Sequence, residues 1–170
     1  MQRVTMFAGM VLVMCMMAVS ANAQIIADVT VNYPVPTGDF ADTMDPGFGA
    51  GADVFVSLPL LPLKLGGHVG YEKFAEKVDG AGDMTTIEIL PSIRYQFGLP
   101  LVSFWAQFGA GMYRWKTDAA DDTDFGLSAG AGVSAMIAPS LRVVAMPMYH
   151  IVMTDGDNLT YISANVGIEF

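Results

Sequence analysis

Tyr161-Ile162-Ser163-Ala164-Asn165-Val166-Gly167-Ile168-Glu169-Phe170 alternates strictly to the end of the chain. Ile162, Ala164, Val166, Ile168 and Phe170 share one face; Tyr161, Ser163, Asn165, Gly167 and Glu169 share the other. A period of two sustained this long belongs to a β-strand with unlike faces, not to a helix. Its length matches the roughly 9–11 residues with which a tilted strand crosses a bilayer.

Read backwards, the chain yields seven more stretches of the same kind. They are Leu141 to Met153, Phe125 to Ile137, Phe104 to Trp115, Ile87 to Phe97, Leu63 to Phe74, Phe48 to Leu58 and Ala27 to Tyr33. The connectors alternate between two classes. Leu58-Pro59-Leu60-Leu61-Pro62, Gly98-Leu99-Pro100 and Ala138-Pro139-Ser140 are short and uncharged, whereas Pro36 to Gly47, Glu76 to Thr86, Thr117 to Asp124 and Thr154 to Asn158 are polar. The polar connectors hold 11 of the 13 aspartates (Asp39, Asp42, Asp45, Asp79, Asp83, Asp118, Asp121, Asp122, Asp124, Asp155, Asp157). Short turns at one end and longer polar loops at the other are the asymmetry of an up-and-down transmembrane barrel. The expected fold is therefore all-β, an eight-stranded antiparallel up-and-down transmembrane β-barrel.

Composition agrees. The chain is 53% hydrophobic with mean hydropathy +0.45, yet carries net charge −9. After residue 23 no apolar run is long enough for a spanning helix. The acidic balance argues against a nucleic-acid partner. At the N-terminus, Arg3, an apolar run from Met6 to Val19 and Ala21-Asn22-Ala23 form the pattern of a secretory signal peptide, with cleavage expected after Ala23. Met14 before Cys15 departs from a lipoprotein site, where Gly or Ala is usual. Residues 1–23 are thus read as a signal and 24–170 as one barrel domain without cysteine.

Charge placement decides which face meets lipid. Asp28, Asp53, Lys64, Glu72, Glu88, Arg94, Arg142 and Glu169 share one face with Gly and Ser, joined by His68. Mixed charges among small residues suit a packed interior, while the opposite, almost wholly apolar face suits lipid. Tyr95, Phe97, Phe104 and Phe170 then lie near the short turns, and Tyr33, Phe48, Tyr71, Phe125 and Tyr149 toward the loops, as two aromatic girdles. Pro91 and Pro147 interrupt strands that have no edge; either bulges accommodate them there or one of those strands is broken.

Gly70-Tyr71-Glu72-Lys73-Phe74, Pro91-Ser92-Ile93-Arg94-Tyr95, Gly109-Ala110-Gly111-Met112-Tyr113 and Gly130-Ala131-Gly132 resemble strand phrases of small outer-membrane β-barrel domain proteins of the outer-membrane protein A/X type. Ile168 with the terminal Phe170 resembles the signal read by the barrel-assembly machinery, although Asn165 stands where that signal often has Gly. The resemblance implies an outer-membrane address and assembly by that machinery with periplasmic chaperones. It implies no activity.

The chemistry-bearing residues are sparse. His68 and His150 are expected on strands that are not chain neighbours, so they read as interior polar filler and no metal site is assigned. No serine stands near His150 in sequence, and Ser163 is expected at another depth, so no catalytic set is assigned either. Trp105, Tyr113, Met146 and Met148 should fill the interior against a wide channel. Asp155-Gly156-Asp157-Asn158 is too short for a calcium loop and lacks its closing Glu. Lys73, Lys77, Arg114 and Lys116 near the loop end are candidate contacts for lipopolysaccharide phosphates. The expected function is that of a non-enzymatic, monomeric outer-membrane barrel without cofactor, with an envelope-structural or surface-interaction role through its acidic extracellular loops and with outer-membrane lipid and lipopolysaccharide as partners. A lipid A-modifying enzyme and a narrow carrier of small hydrophobic molecules are the alternatives.

Overall fold

The computed structural model describes residues 24–58, 61–77, 82–118 and 120–170. The expected signal peptide and Asp79 lie outside them. The strands are β1 (Ile25–Thr37), β2 (Met44–Ser57), β3 (Leu63–Glu76), β4 (Met84–Gly98), β5 (Val102–Lys116), β6 (Asp121–Ala138), β7 (Leu141–Met153) and β8 (Leu159–Glu169). One helical turn, α1 (Phe40–Thr43), lies between β1 and β2. Each strand pairs antiparallel with the next, and β1 pairs with β8 from Asp28↔Glu169 to Thr37↔Thr160, closing the barrel.

Alternation in sequence becomes alternation in burial. Along β4, Thr86, Glu88, Leu90, Ser92 and Arg94 are buried, while Ile87, Ile89, Ile93 and Tyr95 are exposed. The outward face of the barrel is thus the apolar one and the inward face the polar one, the reverse of a water-soluble barrel. Outward residues at mid-strand such as Val31, Val69, Ile89 and Val166 are half or more exposed, with Tyr33, Phe48, Tyr95, Phe97 and Phe104 among the aromatics nearer the two ends.

The strands run further toward the loop end than their alternation predicts. β1 reaches Thr37, β2 starts at Met44 and β6 starts at Asp121, so Asp45, Asp121, Asp122 and Asp124 sit on strands rather than in loops. Beyond the lipid the outward face meets water, so the polarity signal fades while backbone pairing continues.

The mid-strand prolines produce no bulges. Between β4 and β5 the ladder stops after Ile89↔Met112 and resumes in the same register at Ser92↔Gly109; between β6 and β7 it stops after Gly130↔Met148 and resumes in register at Val133↔Ala145. On the other side of each proline pairing is continuous, through Gly67↔Pro91 and Pro147↔Ala164. Each proline therefore costs one ladder one N–H, and its neighbours hold the register. The irregularities lie instead between Asp45 and Phe48 and between Met136 and Ala138.

Pro34 and Pro36 have a larger effect. Ala27 exchanges both backbone hydrogen bonds with Phe170, so odd residues of β1 bond to β8 and even residues face β2. The missing N–H groups at 34 and 36 would have bonded to β2, and β1–β2 pairing ends at Asn32↔Gly49. The chain released there folds α1 over the mouth. Phe40 enters an apolar plug with Met44, Phe74, Met84, Leu90, Tyr113, Val152 and Tyr161. Phe74 holds it together edge-on, 5.1 Å from the Phe40 ring and 5.3 Å from the Tyr161 ring. The other end opens into a cavity of about 550 Å³ lined by residues including Ile26, Lys64, Ser103, Arg142 and Glu169.

The lipid-facing assignment makes a sharp prediction. Val69→Arg, at a half-exposed outward position in mid-strand, should destabilise the barrel by about 2–4 kcal/mol in equilibrium urea unfolding from bilayers. The unboiled wild-type barrel should also migrate differently from the boiled one in SDS gels. A Val69→Arg barrel as stable as wild type would mean that this face meets water.

Candidate functional site

Because the outer face is given to lipid, the inner face must neutralise itself. Arg94 of β4 is the hub of its lower half and is fully buried. Its Nη2 donates to Asp28 Oδ2 at 2.6 Å and its Nε to Gln107 Oε1 at 3.0 Å. Gln107 in turn donates to Asp53 Oδ1 at 2.9 Å. The guanidinium lies over the rings of Phe55 at 4.2 Å and Trp105 at 4.9 Å, an arrangement suited to a planar delocalised cation. Nearer the short turns, Arg142 Nε lies 3.0 Å from Glu169 Oε1 and also donates to Ser134 Oγ, while Lys64 donates to Ser57 Oγ at the mouth.

Above Arg94 a chain of contacts crosses the interior from β2 to β8. His68 Nδ1 lies 3.1 Å from Asp53 Oδ2, and His68 Nε2 lies 3.1 Å from Glu88 Oε1. Glu88 Oε2 is 3.2 Å from His150 Nδ1, and His150 Nε2 is 2.9 Å from Ser163 Oγ. Tyr113 Oη also reaches His150 Nδ1 at 3.0 Å, and the Tyr161 ring stacks on the imidazole with centroids 4.3 Å apart. Glycines make the room. A Cβ on Gly70 would strike the Glu88 carboxylate, one on Gly51 the His68 ring, and one on Gly126 the Tyr113 ring.

His68 and His150 lie buried on strands that are not neighbours, and each meets Glu88, which reaches across the barrel between them. The layer corrects one expectation. Ser163 is at the depth of His150, not elsewhere: β7–β8 register pairs Ser163 with Met148, making it a diagonal inward neighbour of His150. Ser163, His150 and Glu88 therefore stand in the order of nucleophile, base and orienting acid. All three are buried, with Ser163 1% exposed and the imidazole covered by Tyr161.

At the loop-end rim, the basic residues are engaged by their own protein. Lys73 Nζ is 2.7 Å from Asp83 Oδ2, Arg114 donates to both oxygens of Asp121 at 2.9 and 2.8 Å, and Lys77 donates to the Ala41 carbonyl at 2.6 Å. Lys116 is exposed at the end of β5. The Lys73 hydrogen bond holds the Asp83 carboxyl below the usual carboxylate range. That contribution is present above about pH 4 and is lost as pH falls through the lowered value. Thr154 Oγ1 organises the last loop by donating to the Asp157 carbonyl. At the opposite end, Ile168 and Phe170 both point outward, and Phe170 closes the β1–β8 seam through its backbone.

A closed ladder with an apolar exterior and a polar, ion-paired interior defines an integral membrane β-barrel. Residues 6–170 match the model of the outer membrane protein beta-barrel domain, and the chain belongs to that family of outer-membrane proteins. No curated protein matches the chain in sequence. Among solved structures it is similar to Neisserial surface protein A (NspA), at 16% identity and TM-score 0.70, covering 87% of this chain and 97% of that one. The outer membrane enzyme PagL aligns at 14% identity and TM-score 0.55, covering 84% and 98%. The N-terminal barrel domain of Pseudomonas aeruginosa OprF aligns at 13% identity and TM-score 0.51, covering 88% and 100%. At these identities the likeness concerns the fold.

Arg94→Ala should leave Asp28 and Asp53 buried without their cation and lower stability by about 3–5 kcal/mol in urea unfolding. Arg94→Lys should recover only part of this, because a lysine cannot bond both Asp28 and Gln107 in one plane.

Proposed function

We propose that this protein is a non-enzymatic outer-membrane barrel that works at its loop-end rim, where it meets lipopolysaccharide, and otherwise stiffens the envelope. The observation carrying this reading is the apolar plug, which fills the loop end of the lumen and, among the described residues, leaves the charged and accessible groups there on the rim. Lys73, Lys77, Arg114 and Lys116 are its cations. The pairs Lys73–Asp83 and Arg114–Asp121 are exposed and therefore weak, so lipid phosphates would exchange with the aspartates for the same donors. The remaining rim aspartates would bind such lipid through bridging divalent cations. Folding would proceed on the barrel-assembly machinery with periplasmic chaperones, with Ile168 and Phe170 presenting the recognition signal, and would yield a monomer.

A lipid A-modifying enzyme is the second reading, favoured by the Ser163–His150–Glu88 geometry. Against it, Ser163 faces the packed interior rather than the lipid in which an acyl chain would arrive. A carrier of small hydrophobic molecules would require the plug to open.

Two measurements separate these readings. The Lys73, Lys77, Arg114 and Lys116 to Gln quadruple variant should retain several-fold less co-purifying lipopolysaccharide than wild type, and equal retention would reject the rim. Mass spectrometry of lipid A should show the same acyl chains with and without expression of the protein. Acyl loss that disappears in Ser163→Ala would establish the enzyme instead.

A further inference from the structure

We infer that Glu72, Glu88 and His150 form a site for one divalent transition-metal ion, of the zinc type, inside the barrel. One donor atom from each lies within 4.8 Å of the others, and all three side chains are buried. They come from β3, β4 and β7, so no local sequence motif announces them.

Glu72 is the second, independent observation. It is 0% exposed, and neither of its carboxylate oxygens has a hydrogen-bond partner among the described residues. Tyr161 stands close enough for its hydroxyl to act on the Glu72 charge, but that oxygen too is unsatisfied by hydrogen-bond geometry. Glu88 Oε2 meets His150 Nδ1 as an ion-pair contact without a hydrogen bond of its own. A buried carboxylate left bare costs far more than one that is paired. In this layer one of its oxygens lies within 4.8 Å of donor atoms of Glu88 and His150.

The distances suit a small ion. Tetrahedral ligands at ordinary zinc bond lengths stand about 3.3 Å apart. Glu88 Oε2 and His150 Nδ1 already stand 3.2 Å apart. Glu72 must swing inward, and it has no hydrogen bond to give up in doing so. Two carboxylates and an imidazole favour zinc-like ions over magnesium or calcium, which prefer all-oxygen sets.

The surroundings also have the form of a supporting shell. His68, held by Asp53, fixes Glu88 through Oε1 and leaves Oε2 for the metal. Ser163, which accepts a hydrogen bond from Asn165, fixes His150 through Nε2, so that Nδ1 faces Glu88 and the Tyr113 hydroxyl, which a bound ion would displace. Orienting partners of this kind are the rule at protein metal sites. Charge points the same way. In the interior, Asp28, Asp53, Glu72, Glu88 and Glu169 face the permanent cations Lys64, Arg94 and Arg142. The excess is two negative charges with His68 neutral and one with His68 protonated between Asp53 and Glu88, so a divalent ion meets a net negative interior in either state. With the plug above and Arg94 below, it would enter while the barrel folds.

The test uses the full barrel, purified from outer membranes, unfolded in urea with chelator, and refolded into detergent with zinc or cobalt before desalting. Folding of every sample is checked by the heat-dependent gel shift. Wild type should retain one zinc per barrel, and Glu72→Gln, which keeps the side-chain volume, should retain about tenfold less or lower. The cobalt-loaded wild type should show the intense visible bands of a low-coordinate nitrogen–oxygen site, a readout that needs no variant to fold. A folded wild type without stoichiometric zinc, or without those bands, would overturn the site. So would equal zinc in Glu72→Gln and wild type, which would put the ion on the rim aspartates.

Discussion

The β1–β8 seam is the pairing on which everything else depends. In hydrocarbon an unpaired backbone group has no water to turn to, so a sheet survives there only when its first and last strands meet. Here they meet from Asp28↔Glu169 to Thr37↔Thr160, with Phe170 and Ala27 exchanging hydrogen bonds just beyond. Once the sheet is closed, strand alternation has a single consequence. One face goes to lipid, and every polar side chain on the other must find its partner inside.

That requirement explains why the interior is organised in layers. Opposite charges at one depth can satisfy one another only across a lumen as narrow as eight strands make it. Arg94 binds carboxylates and amides arriving from β1 and β5, and Glu88 binds imidazoles arriving from β3 and β7. The glycines facing these groups are part of the same arrangement, since Gly70 and Gly51 yield the volume that Glu88 and His68 occupy.

The fold was legible because alternation and turn chemistry are local. The eight strands, the polarity of each face, the inward placement of Trp105, Tyr113, Met146 and Met148 and the sorting of connectors into two classes all follow from neighbouring residues. What depends on register was not legible. His150 and Ser163 are 13 positions apart, and only the β7–β8 pairing puts them at one depth. Glu72, Glu88 and His150 lie on three strands, and no spacing along the chain brings them together. The plug was hidden for another reason. Its members Phe74, Leu90 and Val152 lie on the face read as polar and Met84 in a stretch read as a connector, because near the loop end the inward face stops serving charges and starts serving closure.

Pro34 and Pro36 show how closure and release are combined in one strand. On a central strand of a barrel a proline ordinarily weakens the sheet. Both of these fall on even positions, so the hydrogen bonds they forfeit lie on the β2 side and the β8 seam is spared. The barrel stays shut where closure is essential and parts only above Asn32, where the strands near the loop end. The freed chain supplies Phe40 to the plug, which shields the Glu72–His150 layer from water. Desolvation strengthens each ion pair beneath the plug and raises the cost of each unpaired atom. The same two prolines that open the ladder thus make the polar layer below it demanding, and a carboxylate without a donor there is the feature least able to stand without a counter-ion.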